Sequence, residues 1–418
     1  MDRAVGIGAI VTVALLAVYA MLWVRVTPWE IGRSDFTSAY VGGLLLRQGH
    51  GSELYDLSAQ APLHAALIAP DREGNLPFVD APVAAALVAP ITLVSLDIAY
   101  RIWGLIQLAM LALAVVIAVR SAPWPARLPS WWRSGVGLIA FGGGATLIVL
   151  LQAQWGSVLA LGLAAAYGEW RRDRPFWGAV WIVLGAGVAK PHLALGIFAL
   201  MLGWRSRRVL AGAVIAGIGV LVLSVVVAGP AAPLNFVRNA ITTNTMWQLD
   251  TFSGFIGIPG SFLGNSGATQ VIGAVGDVTA LGVALCLGLL VRRAPGRLGA
   301  ALAGGVALSI LASPHAGTHD LVLLAPAMVW WTAEAATRAA QRSLSGWQGP
   351  TAAIVMWFLL TCAVFLSPAD GGPVQLVPWV LIAVAAAAWS LARRQPASAE
   401  HRAGDSTALA GGDAIPVS

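Results

Sequence analysis

Apolar runs of about 18 or more residues recur from one end of the chain to the other, and this repetition constrains the fold more than any single motif does. A helix rises about 1.5 Å per residue, so such runs cross roughly 30 Å of hydrocarbon with every backbone polar group satisfied internally. Strands of a transmembrane barrel would alternate apolar and polar residues, and these runs do not. The composition agrees: 58% of the 418 residues are hydrophobic and 11% are charged. The expected fold is an all-α polytopic membrane protein, a bundle of about 12 transmembrane helices.

A net charge of +6 invites a nucleic-acid reading, but the basic residues sit in short loops between apolar runs, as topology signals do. No nucleic-acid partner is expected. Cys286 and Cys362 lie far apart in apolar segments, without metal-ligand spacing, and read as small buried or lipid-facing residues. The first run, Ala4 to Val26, has no small-residue cleavage site after a short apolar core and reads as a retained span.

Residues 1–392 read as one integral-membrane domain and 393–418 as a disordered cytoplasmic tail. A long first outer loop, 27–80, carries two moderately apolar stretches, Phe36 to Leu46 and Ser58 to Ile68, that suit interfacial helices. A second outer loop spans 229–265. The basic loops from Arg120 onward fall on one side, which assigns the polar breaks to the other. Those breaks hold Gln152 and Gln154, Lys190 and His192, and His315, His319 and Asp320. The insert bearing Asp35 joins them if the N-terminus is inside. Parity conflicts at Ala81 to Leu96: either this run is re-entrant or the Arg120 loop breaks the positive-inside pattern.

A transporter would place charges near the midplane and duplicate its fold in two halves. This chain shows no internal repeat, and its charges gather at one face, which favours chemistry at an interface. Asp35 stands a few positions past a membrane exit. It suits a general base that takes the proton of an attacking hydroxyl, or a mere cap on a helix beginning at Phe36. Of the 25 basic residues 24 are arginine; the one lysine, Lys190, lies in an apolar stretch where charge is costly. Lys190 and the histidines suit neutralisation of a leaving phosphate. Against this, Lys190 also reads as a snorkelling or structural cation, and His192 as a packed core histidine. His315, His319 and Asp320 are too sparse a set for a metal site, and no metal or other cofactor is expected. Gln152 and Gln154 also suit plain backbone satisfaction, and Gly142-Gly143-Gly144 a bend or helix packing.

Several stations in order carry a resemblance: Asp35-Phe36, then Leu54-Tyr55-Asp56; Ala81-Pro82-Val83 running to Ala89-Pro90; Gln154-Trp155-Gly156; Ala189-Lys190-Pro191-His192; and Ala312-Ser313-Pro314 with His319-Asp320-Leu321. From about Asp35 to Pro326 the chain resembles the GT-C-fold glycosyltransferases of family 87, which include polyprenol-phosphate-mannose-dependent α-(1,2)-mannosyltransferases of bacterial envelopes. The resemblance implies an inverting hexosyltransferase of the plasma (inner) membrane, with its active site on the outer, periplasmic side. A polyprenyl-phosphate sugar, most simply mannose, would be the donor, and an envelope glycolipid or glycan the acceptor, among membrane lipids.

On that reading Asp35 is the catalytic base, Lys190, His192 and His319 bind the donor phosphate, and Tyr55, Gln152, Gln154, His315 and Asp320 line the substrate cavity that Asp35 and Lys190 share. The sequence departs from the family pattern at Ala153, usually glycine; at Ala81, usually tyrosine; and at Gly317 and Asp320, often an aromatic residue and a histidine. The rival readings are a lipid-linked glycan flippase and a catalytically inactive envelope scaffold.

Overall fold

The structure, a computed structural model, describes residues 2–70, 76–188, 190–243, 248–341, 348–366 and 375–393. Every regular element among them is an α- or 3-10 helix. Four helices are long and apolar enough to cross a membrane as single rods: Arg3–Arg25, Leu96–Ser121, Arg207–Ala228 and Gly267–Arg293. Their outward side chains are apolar, with Ile10 72% and Val226 76% exposed, as suits a protein whose outer solvent is lipid. Cys286 and Cys362 are likewise exposed on apolar helices.

A fifth span is made from two pieces, Ser130–Phe141 and Gly144–Gln152, bent by 48° at the glycine run. A Cβ at Gly142 would collide with Thr12, and one at Gly143 with the Trp357 indole, so the glycines allow both the bend and the close approach of neighbouring helices. The expected count of about 12 transmembrane helices is not confirmed: among the described residues four single rods, or five with the bent pair, are long enough to cross. Prolines and glycines cut the remaining apolar runs into helices of 10–17 residues, including Pro175–Gly187, Pro295–Leu311 and Val377–Arg393.

The helix Leu298–Leu311 forms the centre, with all 14 residues buried. Its first turn leaves N–H groups that no helix carbonyl satisfies. Glu334 answers them, accepting from the Gly299 and Ala300 N–H groups at 2.6 and 3.1 Å, with Arg338 3.6 Å from the oxygen that Ala300 reaches. An anion there is further favoured by the helix dipole.

The first insert departs from its expected interfacial character in one of its two helices. Asp35–Arg47 buries nine of its 13 residues, Phe36 and Tyr40 among them, and packs inside the protein. Its small residues make this possible: Gly43 closes onto the Val88 and Ala89 backbone. Leu57–Ile68 does lie at the periphery, with only Gln60, His64 and Ile68 buried. The run Ala81 to Leu96 is a helix, Pro82–Val88, continued by a 3-10 segment, Ala89–Leu93. Its length of about 20 Å falls short of the roughly 30 Å that a single straight rod needs to cross.

The second outer loop is folded, with helices Ala232–Thr243 and Gly257–Leu263. Asn239 donates its amide N–H to the Phe78 carbonyl at 3.0 Å and so ties this loop to the end of the first. The tail expected to be disordered lies, from 394 onward, outside the described residues.

Candidate active site

Asp35 is the first residue of its helix, and Ser34 occupies the cap position with extended backbone. The carboxylate of Asp35 does not cap. Its Oδ2 accepts a hydrogen bond from Gln154 Nε2, while its backbone N–H donates to Gln152 Oε1 at 3.1 Å. Both glutamines therefore hold the same residue across more than 100 positions of sequence.

Their reach depends on how the helix Gly144–Gln152 ends. Ala153 takes left-handed backbone, φ 49° and ψ 48°, which turns the chain and aims Gln154 at Asp35. That conformation costs an alanine about 1–2 kcal/mol relative to right-handed backbone and favours glycine. The departure from the family pattern at this position thus has a local energetic meaning. Gln154 Oε1 is buried and has no hydrogen-bond partner among the described residues, so one face of the amide remains unused.

Lys190 sits at the break between Pro175–Gly187 and the 3-10 turn Pro191–Ala194, where Pro191 lacks an N–H and the helix cannot continue. Its Nζ lies 3.1 Å from Asp320 Oδ1 and 2.9 Å from His319 Nε2. His319 Nε2 is also 3.3 Å from the same Asp320 oxygen. A neutral imidazole accepting from the ammonium satisfies the shorter contact; a protonated one would face Lys190 as a second cation. Asp320 is fully buried, and its other oxygen accepts the Gly317 N–H at 2.9 Å. Lys190 therefore does not snorkel to the surface: it is held inside by a carboxylate, which is the arrangement a buried cation requires.

The remaining expected residues take different positions. His192 is two residues from Lys190, with Nε2 buried and unpartnered among the described residues. His315 packs edge-on against Phe252, ring centroids 4.7 Å apart. Tyr55 spends its hydroxyl on the Asp80 carbonyl at 2.7 Å and its ring on Phe78 and Phe236, so it braces the insert. Among the described residues no three His, Cys, Asp or Glu side chains gather as a metal site.

No hydrogen bond or ion pair joins Asp35 directly to Lys190 among the described residues. The charges of both act on a residue that sequence reasoning missed. Asp80 is buried at 8% exposure, and its carboxyl feels the Trp155 side chain and the charges of Lys190, Asp35 and Asp320. Burial pushes this carboxyl up to about 7; Lys190 opposes the shift and Asp35 reinforces it. The sequence signal was an acidic residue directly before a proline-led apolar segment, at the very end of a polar insert. Nothing in the spacing distinguished it from a loop residue.

The arrangement comprises a carboxylate oriented by an amide, a cation held by a carboxylate, and a third, buried carboxyl that feels the charges of both. Such a set suits deprotonation at one end and stabilisation of a departing anion at the other. The sequence model for Glycosyltransferase family 87 matches residues 78–314, more than half of the chain. Comparisons with curated proteins and with solved structures return no match. The matched stretch contains Asp80, Gln152, Gln154, Lys190 and His192, with Asp35 and Tyr55 before it and His315, His319 and Asp320 after it. The chain belongs to glycosyltransferase family 87, as a multi-pass, all-helical membrane enzyme that transfers a glycosyl group.

Proposed function

We propose that the enzyme moves a hexose, mannose, from a polyprenyl-phosphate carrier to a hydroxyl of an envelope glycolipid or glycan, with inversion, at the outer face of the inner membrane. The observation that carries this reading is the presence of two held groups, Asp35 paired with Gln154 and Lys190 paired with Asp320. Asp35 takes the proton of the acceptor hydroxyl as its oxygen bonds to the anomeric carbon. The bond from that carbon to the phosphate oxygen breaks, and the electron pair leaves with polyprenyl phosphate. Lys190 neutralises the departing charge in a site that excludes most water, where a fixed cation is worth more than in solution. His319 and His192 stand beside Lys190 as further phosphate contacts, and the free Gln154 Oε1 is available to a substrate hydroxyl.

An apolar groove supports a lipid-linked donor over a water-soluble one. It has a volume of about 620 Å³ and is lined by residues including Phe255, Val275, Gly276, Leu311, Ala385 and Trp389. Phe255 and Leu311 are joined through their backbones, and the adjoining Ser253 N–H donates to the Ala316 carbonyl, so the groove wall continues into the segment bearing His315. The groove suits an isoprenoid chain. The outer-face assignment is supported by the polar breaks lying opposite the basic loops.

Mass spectrometry of lipid-linked and envelope glycans from cells with and without the protein tests the reading. Loss of one hexose from a glycan in its absence is the expected result. Redistribution of a lipid between leaflets with no change in any glycan mass would instead show a flippase.

A further inference from the structure

We infer that Gly317 is a positioning residue for the phosphate end of the site: the side chain it lacks leaves the space in which the His319 imidazole folds back onto Lys190. The inference rests on the glycosyl-transfer reading above, which uses Lys190 and His319 at the departing phosphate, and it assigns what lets the imidazole stand there.

Nothing in the backbone calls for glycine at this position. Gly317 has φ −95° and ψ 172°, extended values that any residue adopts. Its N–H donates to Asp320 Oδ2 at 2.9 Å, and alanine would keep that N–H. The reason for glycine is space. A Cβ built on Gly317 would overlap Cε1 of His319 and stand 2.8 Å from its Nδ1, and the three atoms nearest to it all belong to that ring. The imidazole therefore occupies the room that a side chain at 317 would take. From there its Nε2 lies 2.9 Å from Lys190 Nζ and 3.3 Å from Asp320 Oδ1.

An ammonium carries three N–H groups and a neutral imidazole one. Asp320 and His319 each accept one from Lys190, which leaves the third for a ligand. Because Nε2 accepts from Lys190, the imidazole hydrogen sits on Nδ1. That nitrogen has no hydrogen-bond partner among the described residues, and the His319 side chain keeps 14% exposure. Two unspent N–H donors, one charged and one neutral, are thus joined through a single ring. A phosphate, with several acceptor oxygens and a negative charge, suits both. A side chain at 317 would remove the arrangement at once, turning the ring off Lys190 and covering Nδ1.

The test is a double-mutant cycle on the full chain in nanodiscs, with polyprenyl phosphate without sugar as the probe. Gly317→Ala and His319→Ala are each expected to weaken its binding at least about fivefold, as the loss of a hydrogen bond to a charged group does. The double variant is expected to bind within about twofold of His319→Ala, because a Cβ at 317 does no harm once the ring is gone. Thermal unfolding of Gly317→Ala is expected to stay close to wild type, since only a side chain has to move. Losses that multiply in the double variant would show Gly317 acting without His319 and overturn the inference. An unchanged affinity in Gly317→Ala would overturn it as well. Should Gly317→Ala fail to assemble, adding His319→Ala is expected to restore assembly; a double variant that also fails would contradict the assignment of space. Wild-type protein that binds the probe but transfers no hexose from polyprenyl-phosphate mannose would sink the transfer reading and leave the outcome of the cycle standing. Wild-type protein that does not bind the probe would sink both.

Discussion

Lys190 Nζ and Asp320 Oδ1 form a buried ion pair 3.1 Å long between residues 130 positions apart. Neither group can be inside without the other. Removing one partner of a buried pair leaves an uncompensated charge and costs about 3–5 kcal/mol, whereas replacing both by apolar groups is close to neutral. Lys190→Met is therefore expected to lower thermal stability sharply. The double variant Lys190→Met with Asp320→Leu is expected to recover most of that stability and none of the transferase activity. Thermal unfolding in detergent alongside a transfer assay separates the two effects.

Ala153 supplies a second prediction, because its left-handed backbone aims Gln154. Ala153→Gly relieves that conformation and is expected to keep transfer within about twofold of wild type, since glycine adopts it freely. Ala153→Val places a β-branched residue where such residues are outliers, and is expected to reduce activity at least about tenfold by displacing Gln154. Parallel kcat measurements on the two variants check this.

Asp80 makes stability depend on pH with a definite sign. Its carboxyl titrates at about 7 in the folded protein against an ordinary value of 3.8, so between these pH values the folded state binds more protons than the unfolded state. Stability falls as pH rises through this window, by on the order of a few kcal/mol, and the loss is complete above pH 7 or so. Asp80→Asn removes the titration. The variant is expected to match wild type in thermal stability near the acid end and to exceed it above neutrality; a difference that stayed constant with pH would contradict the assignment.

Gln154 offers a more local test. Gln154→Leu keeps volume but removes the donor to Asp35. It is expected to lower kcat about tenfold or more while leaving affinity for sugar-free polyprenyl phosphate unchanged, because in the proposed mechanism the amide serves the base and not the phosphate end. Equilibrium binding and initial rates on the same preparation check both halves.

Much of this organisation was legible in the sequence, for reasons that particular residues make clear. Lys190 stood out because a lone lysine beside a proline in an apolar run must have a partner, and Asp320 is that partner. Asp35, Gln152 and Gln154 sat at breaks in apolar runs, and the fold brings the three together. The burial of Asp35–Arg47 was not legible, because its moderate hydropathy matches an interfacial helix. What draws it inside is the fit of Gly42 and Gly43 to Phe78 and to the Pro82–Val88 segment, a matter of shape and not of pattern. The break at Lys190-Pro191-His192 was legible too: the proline marks where Phe176 to Met201 divides into a pair of short helices, and the backbone divides there. Asp80 was missed because its importance comes from neighbours 45 to 240 positions away, on four different segments.

The central claim is that the Asp35 carboxylate takes the acceptor proton. Asp35→Asn preserves shape and still accepts from Gln154, but it has no basicity. Transfer of mannose from polyprenyl-phosphate mannose by the purified variant, set against wild type at matched donor affinity, tests the claim directly. The account predicts a fall of at least about a hundredfold in kcat, the range expected when a general base is lost. A near wild-type rate in the asparagine variant would contradict it.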